Sequence, residues 1–168
     1  NRLLQLISEN LNNLKKFPFE KWDSNGQVDY ILFKRNLENE QYQLLQEEKL
    51  YAQIAPALPF ADKLIELQKP RRRGLNVNGE VVAKSLNDIN KEIVTAISKL
   101  KKGDSLETSQ ANMAANAAIA LQASLKDYFN FYNDYDPLFS WWVPKTYSET
   151  DSLLALFSKI VKNKIKLN

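Results

Sequence analysis

The chain of 168 residues contains neither cysteine nor histidine. Without Cys there is no disulfide framework and no thiolate nucleophile, and the redox compartment leaves no trace. Without His, the commonest general base and the commonest zinc ligand are both missing. That excludes Ser-His-Asp and Cys-His catalysis, and His-ligated zinc, within these residues. Carboxylates are what remains for acid–base or hard-cation chemistry. Glycine is scarce as well, and four in the whole chain leave no phosphate-cradling loop. No apolar run approaches the roughly eighteen residues needed to cross a bilayer. Charge of one sign is also lacking: 23 basic residues are interspersed with 20 acidic ones for a net +3. The reading is therefore no membrane span and no nucleic-acid partner, since a nucleic-acid interface needs a concentrated basic stripe.

What is present favours helix. The sequence is 44% hydrophobic with six Pro, and Leu, Lys, Glu, Gln, Asn and Ala dominate the rest. Straight-chain residues lose little rotamer freedom in a helix. The expectation is a single all-α domain, an irregular multi-helix bundle of about six or seven helices with one long helix near 26–51 and an aromatic bend near 128–147. A chain of this length buries roughly 70% of its unfolded surface and needs no disulfide or metal staple.

Along the chain, Leu3, Leu4, Ile7, Leu11 and Leu14 make the apolar stripe of a first helix that ends before Pro18. Phe17, Phe19 and Trp22 follow in a loop, where they are expected to cover the core edge. Ser24 with Gln27 has capping-box spacing, and Asp23 is the alternative cap of the long helix. That helix carries two apolar edges, Val28, Ile31 and Leu32 on one and Tyr30, Phe33, Leu37 and Leu44 on the other, so neighbours are expected on both sides. Pro56 and Pro59 break the pattern before a short amphipathic segment holding Leu64, Ile65 and Leu67. Asn78 is a cap for a helix over 79–101 whose apolar residues are Val82, Leu86, Ile89, Ile93, Ala96, Ile97 and Leu100. Lys101-Lys102-Gly103 ends it, and Asp104 with Glu107 opens the next helix, over 106–132. Ala111, Ala114, Ala115, Ala117, Ala118, Ala120 and Ala123 in that helix allow close approach of a neighbour. Thr146 with Glu149 repeats the capping spacing ahead of a final helix carrying Leu153, Leu154, Phe157, Ile160, Val161 and Ile165. Its basic end, Lys159, Lys162, Lys164 and Lys166, reads as a solvated face.

Three places carry candidate chemistry. Lys69-Pro70-Arg71-Arg72-Arg73-Gly74 reads either as a basic helix end with a permissive glycine turn or as an anion clamp built from Arg71, Arg72 and Arg73. Three consecutive arginines cannot all face one way. Asp134 and Asp136, with Asp151 further along, read either as turn and cap residues or as a carboxylate pair for acid–base work or a hard cation. Nine of the eighteen aromatic residues fall between Tyr128 and Tyr147. Tyr135, Trp141 and Trp142 there are expected either to pack, with at least one Trp in the core, or to stack on a ligand ring. Asp23-Ser24-Asn25-Gly26 is similar to a calcium loop, but its glycine is misplaced and the distal Glu is missing, so it reads as a turn.

Two passages carry a resemblance. Trp22 followed after four residues by Gln27-Val28-Asp29-Tyr30, and later Tyr135-Asp136-Pro137-Leu138-Phe139-Ser140-Trp141-Trp142 ahead of a helix opening on Tyr147, resemble the amino-terminal helical region of the bacterial domain-of-unknown-function family 885. With Pro59-Phe60 and Arg71 to Arg73 between them, the likeness spans most of the chain. What it implies is an exported protein, periplasmic or lipid-anchored and several times longer, whose later part holds a His-Glu-x-x-x-Gly-His-like zinc motif. Metal-activated water would attack a peptide carbonyl there. None of those ligands is in this chain, so the resemblance makes these residues a non-catalytic front without cofactor. Its partners would be the remainder of its own polypeptide and, in the full protein, a peptide substrate. The chain opens on Asn1 rather than Met, which reads as a processed product or a piece of something longer. The alternative reading is a free-standing helical module, without enzyme activity, for an anionic or carbohydrate-like ligand.

Overall fold

The computed structural model describes residues 2–102 and 106–163, and among these every regular element is helical. The protein is all-α, as its composition requires. Of the sequence features above, Gly103, Asp104, Lys164, Ile165 and Lys166 lie outside the described residues. The sequence reads as one domain; the contacts gather into two compact units, Asn1–Ala52 and Gln53–Asn168, each with its own core.

The first unit is built on helix α1 (Arg2–Leu14) and the 31-residue helix α2 (Ser24–Ile54), which runs on into the second. Of the two cap candidates Asp23 holds the start of α2, its Oδ1 accepting the Gly26 N–H at 2.9 Å. Gln27 instead donates through Nε2 to the Phe19 carbonyl at 3.3 Å. Ile7 and Leu14 of α1 bury with Leu37 of α2, and Leu11, Tyr30 and Leu44 pack around them. A side-chain bond from Gln41 Nε2 to Ser8 Oγ at 3.1 Å ties the two helices. Phe19 and Trp22 meet Tyr30 with ring centroids 5.0 Å and 6.0 Å apart, and Phe17 meets Trp22 at 5.7 Å. The expectation of neighbours on both edges of α2 fails: Val28, Ile31, Leu32 and Phe33 are all exposed. The reason is number: the described residues of this unit hold one other α-helix, α1, and one packed helix covers one stripe of its partner.

The second unit comprises α3 (Ala61–Leu67), the single turn α4 (Lys69–Arg72), α5 (Gly79–Lys102), α6 (Thr108–Tyr132), α7 (Pro137–Trp142) and α8 (Pro144–Asn163). Its core takes in Ile54 from the end of α2. All seven apolar positions expected on α5 are buried, and Asn78 Oδ1 accepts the Val81 N–H at 3.2 Å as its cap. Helix α8 packs on both α5 and α6, α3 sits on the same pair, and α7 crosses α5 and α8. Ala111, Ala114, Ala115 and Ala118 of α6 are fully buried, whereas Ala120 and Ala123 turn outward. Small side chains on one face bring backbones close and gain dispersion contacts along the whole seam. Phe60 meets Phe157 edge-on at 5.2 Å and 86°, the favoured geometry for two ring quadrupoles.

Two helix starts differ from the sequence reading. Thr146 and Glu149 do not cap α8, which begins two residues earlier with Pro144 at its first position. Proline lacks the N–H that would be unpaired there, and the Thr146 hydroxyl instead donates to the Val143 carbonyl at 3.0 Å. Helix α6 opens on Glu107, whose N–H is accepted by Gln110 Oε1 at 3.3 Å.

Gly79 marks a tight junction between α5 and α7. A Cβ there would lie 2.7 Å from the Leu138 carbonyl oxygen and 2.8 Å from Phe139 Cα, both backbone atoms that cannot swing away. Gly79→Ala is therefore expected to destabilise the chain by about 1–3 kcal/mol, despite the better helix propensity of Ala. Urea denaturation of the two proteins checks this, and an unchanged midpoint would contradict the backbone contact.

Candidate functional site

The aromatic bend begins where α6 stops. Asn133 leaves the helix, Asp134 adopts the left-handed conformation at φ 67°, and the Asp136 N–H returns to the Tyr132 carbonyl at 2.9 Å. The strained Asp134 is held by its own N–H, which donates to Ser140 Oγ at 2.8 Å. Asp136 then caps α7: its Oδ1 accepts the N–H groups of Leu138 at 2.9 Å and Phe139 at 3.1 Å. A carboxylate cap of this kind is worth about 1 kcal/mol, and Pro137 supplies the preset first helical residue.

The nine aromatics of the stretch divide by side. Phe139 is fully buried and meets Tyr132 at 5.2 Å, Tyr128 at 5.9 Å and Phe129 at 6.1 Å, while Phe129 stacks flat on Tyr147 at 3.9 Å. Phe131, Tyr135, Trp141 and Trp142 stay outside. The expectation that one of the adjacent tryptophans enters the core is wrong: Trp141 is 79% exposed and Trp142 45%. Phe139 and Val143, four apart, form the inward face of α7, so Leu138, Trp141 and Trp142, at the complementary three-and-four spacing, face water.

The arginine run is a helix end, as its first reading has it. Gly74 sits at φ 66°, its N–H donates to the Arg71 carbonyl at 3.0 Å, and the Leu75 N–H donates to the Pro70 carbonyl at 2.9 Å. This is the glycine-terminated pattern that satisfies the last carbonyls of a helix. The turn is anchored by buried Gln68, whose Oε1 accepts from the Ser124 hydroxyl of α6 at 2.6 Å. Arg71 is half-buried with its guanidinium 4.3 Å from the centroid of the Phe131 ring, and Arg72 and Arg73 point into solvent.

The result is a cleft of about 520 Å³ between the arginine turn and the bend. Arg71, Phe131, Tyr132, Tyr135 and Asp136 line it, closed on one side by Gly74 to Val77. Of the candidate residues, the fold thus unites Arg71, Tyr135 and Asp136 at the cleft, and leaves out Arg72, Arg73, Asp134, Asp151, Trp141 and Trp142. Phe131 and Tyr132 carried a signal in the aromatic stretch, but nothing in Leu75-Asn76-Val77 marks it as a wall.

The carboxylates do not converge. Asp134 shapes the turn, Asp136 caps α7, and Asp151 accepts from Gln122 Nε2 of α6 at 2.9 Å. Among the described residues no three potential metal ligands come together, and the sequence has no His or Cys. The donor set needed for the zinc implied by the resemblance does not fit these residues.

Burial sets the titration of the bend. Tyr128 is 1% exposed, its hydroxyl has no hydrogen-bond partner among the described residues, and desolvation pushes its phenol well above the usual range. Tyr132 and Tyr147 shift the same way for the same cause. These groups keep their protons in the folded state after the unfolded chain has lost them. Stability is accordingly insensitive to them below about pH 10 and falls as pH rises beyond it. Tyr128→Phe is expected to be neutral or slightly stabilising, within about 1 kcal/mol, because it removes an unpaired buried hydroxyl. It should also lessen the alkaline loss. Thermal melts of both proteins from neutral to strongly alkaline pH measure this, and a variant weakened at neutral pH would reveal a bond to that hydroxyl.

Comparison of the chain with protein-family models, curated proteins and solved structures finds no match.

Proposed function

We propose that the chain is the non-catalytic helical amino-terminal region of a longer, exported or lipid-anchored polypeptide of zinc-metallopeptidase type. It packs through the bend on the catalytic part and walls one side of its cleft. The observation that supports this reading is the outward face of α7: Leu138 is 68% exposed beside Trp141 and Trp142, on a helix fixed from behind by Phe139 and Val143. Large aromatics held rigidly in water form the kind of surface that a partner covers at little ordering cost. The second passage of the resemblance is the one that builds this feature, with Asp136 as cap, Pro137 as first residue, Phe139 inward and the tryptophans outward. Zinc, its histidine ligands, the general base and the peptide substrate belong in this reading to the catalytic part.

A second reading, the free-standing module for an anionic or carbohydrate-like ligand, draws on the separate cleft at Arg71. The coding frame past Asn168 separates the two. The first expects several hundred further residues with the His-Glu motif, zinc and peptide hydrolysis in the longer protein, and neither in this chain alone. It also expects the emission of Trp141 and Trp142 to shift to the blue in the longer protein. Zinc retained or peptides cleaved by this chain alone would sink it.

A further inference from the structure

The cleft beside Arg71 has chemistry of its own that the docking face of α7 does not use. Arg71 approaches Phe131 through the ring face, and among the described residues no carboxylate pairs with it. Lys69, on the same turn, is by contrast already paired with Glu66. A guanidinium has five donors in a planar fork that fits a carboxylate two-pronged, and stacking on a ring fixes that fork without consuming its N–H groups. The aromatic walls are available too, with Phe131 53% and Tyr135 84% exposed. The volume, about 520 Å³, is in the range that takes a small organic ligand.

Asp136 is the obvious objection to an anion here. Its Oδ1 is occupied by two backbone N–H groups at the start of α7, which neutralise part of its charge. Arg72 and Arg73 stand exposed on the same short segment, outside the lining of the cleft.

We propose that this cleft binds a carboxylate carried on an aromatic or apolar group, with the Arg71 guanidinium as clamp and the rings of Phe131 and Tyr135 as the apolar wall. The positive charge rules in the anion, and the exposed rings select against small inorganic ones. The carboxylate could come from a free aromatic acid or from the carboxyl end of a peptide, two sources with the same recognised chemistry. The inference gives a ligand class to the second reading above and rests on the cleft alone. Trp141 and Trp142 test docking, Arg71 and Phe131 test this site, and each can fail without the other.

The test is a titration of the whole chain, followed by amide NMR shifts, with phenylacetate as the free acid and N-acetylphenylalanine as the peptide-end mimic. The neutral amide of each, and acetate alone, are the controls. Saturable shifts confined to residues 71–77 and 131–136 are expected for the two aromatic acids. Their amides and acetate are expected to bind at least about tenfold more weakly, the usual worth of a charged hydrogen-bonded pair. Arg71→Ala and Phe131→Ala should each weaken the acids by about tenfold or more. Arg71→Lys, which keeps charge but loses the fork, should fall between, and a double Arg72→Ala, Arg73→Ala variant should lose less than threefold. Circular dichroism melts establish that each variant is folded, and the ligand-side controls on the unaltered chain hold even if one is not. Equal binding of acid and amide, no saturable shift, or a greater loss in the Arg72/Arg73 variant than in Arg71→Ala would each overturn the proposal. A preference of one acid over the other identifies the source.

Discussion

The insertion of Phe139 into the core is the contact on which the bend depends. A six-residue helix has no stability of its own, because nucleation costs more than so few hydrogen bonds return. Helix α7 exists because Asp136 caps one end, Phe139 and Val143 are buried beneath it, and Gly79 lets its backbone come within atomic contact of α5. Remove the side chain at position 139 and Tyr128, Tyr132 and Phe129 lose their common partner. The outward presentation of Leu138, Trp141 and Trp142 is thus a consequence of how α7 is held from inside.

A similar logic places Arg71. Gln68 fixes the turn to α6 through Ser124, Gly74 closes it in the left-handed conformation, and Phe131 receives the guanidinium. Each step uses a residue suited to it: a buried amide needs a partner, a helix end needs positive φ, and a stacked cation needs a ring face. The two features, aromatic face and arginine cleft, share the bend yet offer different chemistry. One is apolar and broad, the other charged and concave.

The sequence was legible wherever one residue type has one dominant physical use. Helical periodicity located α5 with all seven expected apolar positions inward, and Asn78 as its cap, because a 24-residue amphipathic helix leaves little choice of face. Of the two readings open at each place, the cap at Asp136 and the turn at Gly74 follow from local backbone chemistry and are the ones the structure has. Capping spacing misled at Thr146, where Pro144 already supplied a helix start and left the hydroxyl to bond backward. The second edge of α2 misled too, since apolar spacing states what a helix can bury and not how many partners pack against it.

By itself the sequence determined the all-α class, the absence of thiol and imidazole chemistry, and the position of the bend, all of which follow from composition and local turn rules. Only the tertiary structure decided which aromatics face water and that Arg71, alone of three arginines, meets Phe131 sixty residues away. The physical reason is that rotation of a short helix about its axis, and the partner of a flexible cation, are set by contacts between segments remote in sequence. Trp141 and Trp142 are large and apolar enough to belong in a core, but Phe139 holds the inward position, and a helix has one inward face.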